Sequence, residues 1–191
     1  MVNRCGWATS APDYIAYHDD EWGRPVHGDD HVYERITLEA FQSGLSWLTI
    51  LRKRENFRRA FAEFSIPKVA AFDESDVERL MNDTGIVRNR AKVDAAIANA
   101  RAAVELPGGL CELVWRFADW SAPVPAGLAD VPAQTAGSKA LAKELKKHGF
   151  RFVGPTTAYA LMQAIGLVND HVIDCWVREE VSALRNAAAP C

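Results

Sequence analysis

A chain of 191 residues is long enough for one substantial domain with its own core, because a chain of this size buries well over half of its unfolded surface. Hydrophobic and charged residues make up 49% and 25% of it, ordinary globular values that exclude a disordered chain, and no apolar run of about 18 residues is present to span a membrane. A formal net charge of -3 excludes a generic polyanion binder, since affinity for phosphate backbones grows with the number of lysines and arginines that displace counterions.

The N-terminal stretch MVNRCGWATS lacks the apolar core of a signal peptide, so a cytoplasmic protein is expected. In that compartment four cysteines read as thiols or metal ligands before they read as bridges.

In chain order, Trp7, Tyr14, Tyr17 and Trp22 concentrate aromatic side chains near the N-terminus, among acids at Asp13, Asp19, Asp20 and Glu21. Segment 31–64 then places Val32, Ile36, Ala40, Phe41, Leu45, Leu48 and Leu51 at amphipathic helical spacing, with Gly44 marking a close contact or a bend. A helix follows in DESDVERLMNDTGI, started by Asp73 or Ser75 and ended by Gly85, and another in RNRAKVDAAIANARAAVEL with Val93, Ile97 and Val104 inward. Residues 107–137 are broken by turn formers around a short helix near LCELVWRFAD. The spacing predicts a helix over 138–148, capped by Ser138 and stopped at Gly149, then a final pair in TTAYALMQAIG and DHVIDCWVREEVSAL. No strand-like alternation persists, so the fold class expected is all-α, an orthogonal helical bundle making one domain over 1–191.

Three constellations carry chemistry. In NDHVIDC, His171 and Cys175 stand four apart, on one side of a helix if the segment is helical. Two ligands do not hold a metal, and Cys5 with His18 is the best placed other pair; together they would form a closed, structural Cys2His2 zinc site. A buried free thiol at Cys5 and a histidine at a helix N-terminus at His171 explain the same residues equally well. Closing so long a loop costs on the order of 4 to 5 kcal/mol, which structural zinc binding, at roughly 10 kcal/mol or more, exceeds. Cys111 and Cys191 have no ligand-spaced neighbour and read as free.

The second is HGFRFVGPTT, a tight connection bracketed by Gly149 and Gly154, with Thr156 and Thr157 at the start of the next helix, where free N–H groups suit a phosphate. Lys139, Lys143, Lys146, Lys147 and Arg151 flank it. Such joints often only pack, and the basic flank brings the nucleic-acid reading level with that one. The third is Glu39 in LEAFQSGLSW, on a helix of chiefly apolar neighbours. Glu39, Ser43 and Trp47 recur every four residues and could share a cavity, although most helical glutamates are simply solvated.

Taken together, RCGW, YIAYHDDEWG, LEAFQSGLSW, GIVRNRAKV, GFRFVGPTT and GLVNDHVIDC closely resemble the DNA-3-methyladenine glycosylase I family of helix-hairpin-helix base-excision enzymes. The resemblance runs from Asn3 to about Cys175 and does not extend to the tail WVREEVSALRNAAAPC. It implies a two-lobed helical fold and a monofunctional enzyme that hydrolyses the N-glycosidic bond of 3-methyladenine. The expected substrate is double-stranded DNA containing alkylated bases, acted on by a monomer with no membrane partner. It implies zinc held by Cys5, His18, His171 and Cys175 as a structural clip. It puts Glu39 in the base pocket with Tyr17 and Trp47 around the base, and Trp7, Tyr14 and Trp22 also match family aromatics. Gly149, Gly154, Thr156 and Thr157 would grip the DNA backbone, and Leu45 would be the wedge filling the gap left by an extruded nucleotide. Related bifunctional enzymes carry a lysine where this chain has Thr156, so no Schiff-base lyase step is expected. Asp170 reads as a helix cap beside a metal ligand. The rival classes are a non-catalytic hairpin DNA-binding module and a zinc-dependent hydrolase using Asp174 or Glu21.

Overall fold

The computed structural model describes residues 2–188 and 191. Among them every regular element is helical: α1 Pro12–Asp20, α2 Asp29–Gln42, α3 Trp47–Ala60, α4 Ile66–Ala70, α5 Glu74–Asn82, α6 Arg90–Val104, α7 Gly109–Trp115, α8 Ala136–Lys147, α9 Pro155–Ala164 and α10 Arg178–Ala187. The all-α expectation holds. None of these helices is long and apolar enough to cross a membrane.

Helix α2 organises the bundle. It packs against α3, α6, α7 and α9, so almost every residue from Val32 to Phe41 is buried, including Glu34, Thr37 and Glu39. A helix enclosed on all sides can be apolar all round, and a carboxyl placed on it loses its water. Around it, Phe41, Phe57, Phe61 and Phe64 are fully buried, with ring centroids 4.8 Å apart for Phe41 and Phe57 and 5.7 Å apart for Phe61 and Phe64.

The helix predicted over 31–64 is two helices. The chain turns at Ser43-Gly44-Leu45-Ser46, where Gly44 takes φ +81°, and the Ser46 hydroxyl caps α3 by accepting from the Thr49 N–H at 3.2 Å. The left-handed conformation is open to glycine at no side-chain cost. Apolar spacing persists across the break because both helices face the same core, which is why the pattern alone runs through it. Val104, expected inward, is 53% exposed at the last turn of α6.

Asp73 caps α5 through Ser75 and Asp76. Helix α8 starts earlier than predicted: Thr135 is its cap and Ser138 the reciprocal partner, each accepting from the other's backbone N–H. At its end Gly149, at φ +92°, lets the Phe150 N–H reach the Leu145 carbonyl and the Gly149 N–H reach that of Lys146, at 3.1 and 3.0 Å. This doubly bonded stop buries Phe150 and turns the chain toward α9.

Two further expectations are corrected. The segment after Gly166 is irregular until Arg178, so His171 and Cys175 do not lie on a helix and Asp170 caps none. Cys111 and Cys191 are not free thiols: they form a disulfide with Cα atoms 5.7 Å apart, which spacing in sequence could not reveal because the partners are 80 residues apart.

Candidate active site

A cavity of about 400 Å³ opens between the N-terminal segment, the end of α2, the start of α3 and one face of α9. Trp7, Tyr14, Tyr17, Trp22, Glu39 and Trp47 all line it. The aromatics brace one another: Trp7 meets Tyr14 edge-on at 5.5 Å and Trp22 at 5.1 Å, while Tyr17 and Trp47 are 5.5 Å apart. The Tyr14 hydroxyl accepts from the Leu48 N–H at 2.9 Å, tying α1 to α3. Glu39 and Trp47 reach the cavity from different helices, not along the single helical stripe that their spacing suggests.

Glu39 is 6% exposed. Burial raises its pKa to about 8, opposed only by the positive charge of Arg35, and no hydrogen bond from the described residues offsets the loss of water. Arg35 sits one turn earlier on α2 and is drawn away by Glu21, which it reaches at 3.4 Å; Glu21 also takes a bidentate pair from Arg54 at 2.6 and 2.8 Å. Tyr17 is likewise pushed above the ordinary tyrosine pKa, first by burial and then by the negative charge of Glu39. The indole N–H of Trp47 is buried without a partner among the described residues. The cavity therefore holds a carboxyl and an N–H donor, neither hydrogen-bonded by the described residues, among electron-rich rings.

The α9 side of the cavity was not foreseen. Tyr159 and Gln163 stand four apart on α9, and both donate to one oxygen of Asp170, at 2.6 and 2.8 Å. All three line the cavity, and the i, i+4 spacing of the two donors was the available signal. Thr156 lies at the same wall, one turn before Ala160, and is exposed. Gly154 precedes α9, whose first turn contains Thr157. Leu45 is 42% exposed at the tip of the α2–α3 turn, close in sequence to cavity residues Gln42 and Trp47.

Behind the aromatic wall, Cys5, His18, His171 and Cys175 meet, all buried, with ligand atoms within 4.8 Å of one another. His18 Nε2 and His171 Nδ1 are 3.2 Å apart; Cys175 Sγ lies 3.4 and 3.5 Å from them, and Cys5 Sγ 3.6 Å from His171 Nδ1. Zinc bonded at about 2.0–2.1 Å to nitrogen and about 2.3 Å to sulfur gives tetrahedron edges of roughly 3.3 Å and 3.6 Å. The second nitrogens are also assigned: His18 Nδ1 meets Asp19 at 2.7 Å and His171 Nε2 meets the Trp22 carbonyl at 3.0 Å, the outer contacts that orient metal-binding imidazoles. Asp19 is held in turn by Arg4, whose hydrogen bonds pull its pKa down to about 2. The quartet thus fits a zinc ion. His171 and Cys175 converge through a turn, in which the Cys175 N–H bonds the Val172 carbonyl at 2.9 Å, and not through helical spacing.

The family model described as methyladenine glycosylase matches residues 7–179. The chain is 49% identical to DNA-3-methyladenine glycosylase 1 of Escherichia coli (strain K12), over 91% of this chain and 96% of that protein. It is 44% identical to DNA-3-methyladenine glycosylase of Haemophilus influenzae, over 92% and 97%. Among solved structures, a crystal structure of 3-methyladenine DNA glycosylase I superposes with a TM-score of 0.87 at 47% identity, covering 91% of this chain and 98% of that one. The Staphylococcus aureus enzyme, described for its recognition of 3-methyladenine, gives 0.87 at 32% identity over 93% and 97%. The chain belongs to the methyladenine glycosylase family, a family of hydrolytic glycosylases.

Proposed function

We propose that this chain is a monofunctional DNA glycosylase that releases 3-methyladenine from alkylated duplex DNA. The observation that carries the reading is Glu39, a buried carboxyl without a hydrogen bond among the described residues, in an aromatic cavity. The names of the relatives agree with it. A base inside a duplex must be extruded to be cut, at a cost of a few kcal/mol that is least for damaged bases. As a nucleoside, 3-methyladenine is a cation. Tyr17 and Trp47 attract it through their ring faces, by roughly 0.5 to 2 kcal/mol per good contact. The Glu39 carboxylate accepts its amino protons, and the cation in turn favours the ionised carboxylate.

The methylated base is already a good leaving group. When the bond from the anomeric carbon to the base breaks, the electron pair stays with the base and neutralises it. Water adds to the sugar carbon and loses its proton, leaving an abasic site. With Thr156 where a Schiff-base lysine would stand, no covalent enzyme intermediate forms. In this reading α8, the 148–154 turn and α9 form a helix-hairpin-helix, in which Gly149, Gly154, Thr156 and Thr157 hold the DNA backbone. Leu45 fills the vacated stack.

Zinc on Cys5, His18, His171 and Cys175 would join the chain ends and steady the wall carrying Trp7 and Trp22. Four protein ligands complete a tetrahedral ion, so a structural role is favoured over activation of water. The deciding assay is release of free 3-methyladenine from alkylated duplex DNA. Wild-type protein should release it, and Glu39→Ala should bind the free base roughly 10- to 100-fold more weakly, the size of one charged hydrogen bond. Wild-type affinity in that variant would end the assignment.

A further inference from the structure

Two buried polar side chains take no part in the cavity or the metal quartet, yet each bonds the backbone of a turn next in sequence to cavity-lining residues: the first turn lies between Gln42 and Trp47, and the second leads into α9 and Thr156. Lys92 and Asn99 both stand on α6. Seven residues apart, they fall on one face, about 10 Å from each other along the axis. Lys92, 7% exposed, has no ion-pair partner among the described residues. Its ammonium donates to the carbonyls of Phe41 and Ser43, at 2.9 and 2.6 Å, which the end of α2 leaves without helical partners. Those carbonyls begin the turn that presents Leu45.

Asn99, 1% exposed, holds the backbone of a single residue through both its N–H and its carbonyl. Its Oδ1 accepts from the Arg151 N–H at 2.7 Å and its Nδ2 donates to the Arg151 carbonyl at 3.0 Å. The next residue, Phe152, is held at φ +56°, a left-handed conformation that strains a side chain of its size. It is 43% exposed at the tip of the α8–α9 turn. An apolar residue of similar size would bury at either α6 position more cheaply than an amine or an amide. The polar groups make contacts with turn backbone that an apolar side chain could not.

We propose that Lys92 and Asn99 are positioning residues, and that α6 is a strut fixing the Leu45 turn and the Arg151–Phe152 turn at a set spacing, so that both engage one stretch of duplex. The inference rests on the DNA glycosylase reading. Lys92 acts through the first turn and Asn99 through the second; neither touches the base.

The test uses the full chain carrying Lys92→Met or Asn99→Ala. Three quantities are read: affinity for free 3-methyladenine, excision from alkylated duplex against alkylated single strand, and amide exchange along the chain. Lys92→Met should cut duplex excision by about tenfold, the effect of one lost charged hydrogen bond. Single-strand excision and free-base affinity should stay within about twofold, as expected for independent sites. Asn99→Ala should raise KM for duplex by about tenfold while kcat is kept. Exchange should accelerate at 43–46 in the first variant and at 150–153 in the second. An unchanged duplex-to-single-strand ratio, acceleration spread over the whole chain, or an unfolded variant would assign both side chains to general stability and overturn the proposal. If wild-type protein released no base at all, the glycosylase reading would fall, while the exchange measurement would still decide whether α6 holds the two turns.

Discussion

Glu39 is unstable where it stands, and that instability is useful. Its pKa rises from 4.5 in an open chain to about 8 in the fold. Between those values the empty folded protein holds a proton that the unfolded chain has lost, so stability falls as pH climbs through that window and the loss is complete above it. Glu39→Gln should therefore be more stable than wild type at pH 8, by as much as a few kcal/mol, and equal to it near pH 4. Denaturant unfolding at the two pH values checks this, and equal stability at both would mean the carboxyl is solvated. A cationic nucleobase favours the ionised carboxylate, so binding near neutrality should release a proton that the glutamine variant does not release. Calorimetry of a non-cleavable lesion duplex in buffers of different ionisation enthalpy measures it.

At the scale of elements, turns matter more than helices, and turns are where the sequence was hardest to read. The cavity aromatics and Glu39 were identifiable because residue type and the family blocks both point to them. The break at Ser43–Ser46 was not, since apolar spacing continues through it. The helix expected across His171 and Cys175 failed for a related reason: spacing of four is also satisfied by a tight turn, as the Cys175 N–H bond to Val172 demonstrates. Asp170 was misread as a cap because its partners Tyr159 and Gln163 lie on another element. Gly149 offers a clean test of a turn. A methyl group there would meet only the Ala102 Cβ at 3.9 Å, so Gly149→Ala costs little but left-handed backbone strain, about 1 to 2 kcal/mol. It should lower the melting temperature modestly and weaken binding to undamaged duplex; unchanged duplex affinity would separate this turn from DNA binding.

For the whole molecule, the chain ends carry the stability argument. With zinc on the quartet, Cys175→Ser should lower zinc content below one per chain and depress the melting temperature, and a chelator should do the same to wild type. A zinc-free protein that kept its melting temperature would dismiss the clip. The Cys111–Cys191 disulfide fastens the tail to α7 separately. In an oxidised sample Cys191→Ser should lose up to about 4.5 kcal/mol by the chain-entropy account of a bridge spanning 80 residues, with cavity and metal content unaltered. Unfolding with and without reductant compares the two.

The meeting of Cys5 and His18 with His171 and Cys175 also sets an order of events during synthesis. Trp7 packs on His18 and Trp22 on His171, with ring centroids 5.3 and 4.7 Å apart, so the aromatic wall is finished only when the far end of the chain arrives. A ribosome that has made α1 to α9 has made Glu39, Trp47 and Tyr159, but not yet the closed cavity that unites them. The wall closes only once residues 170–175 have left the exit tunnel, because Asp170 and Val172 line the cavity and His171 packs on Trp22.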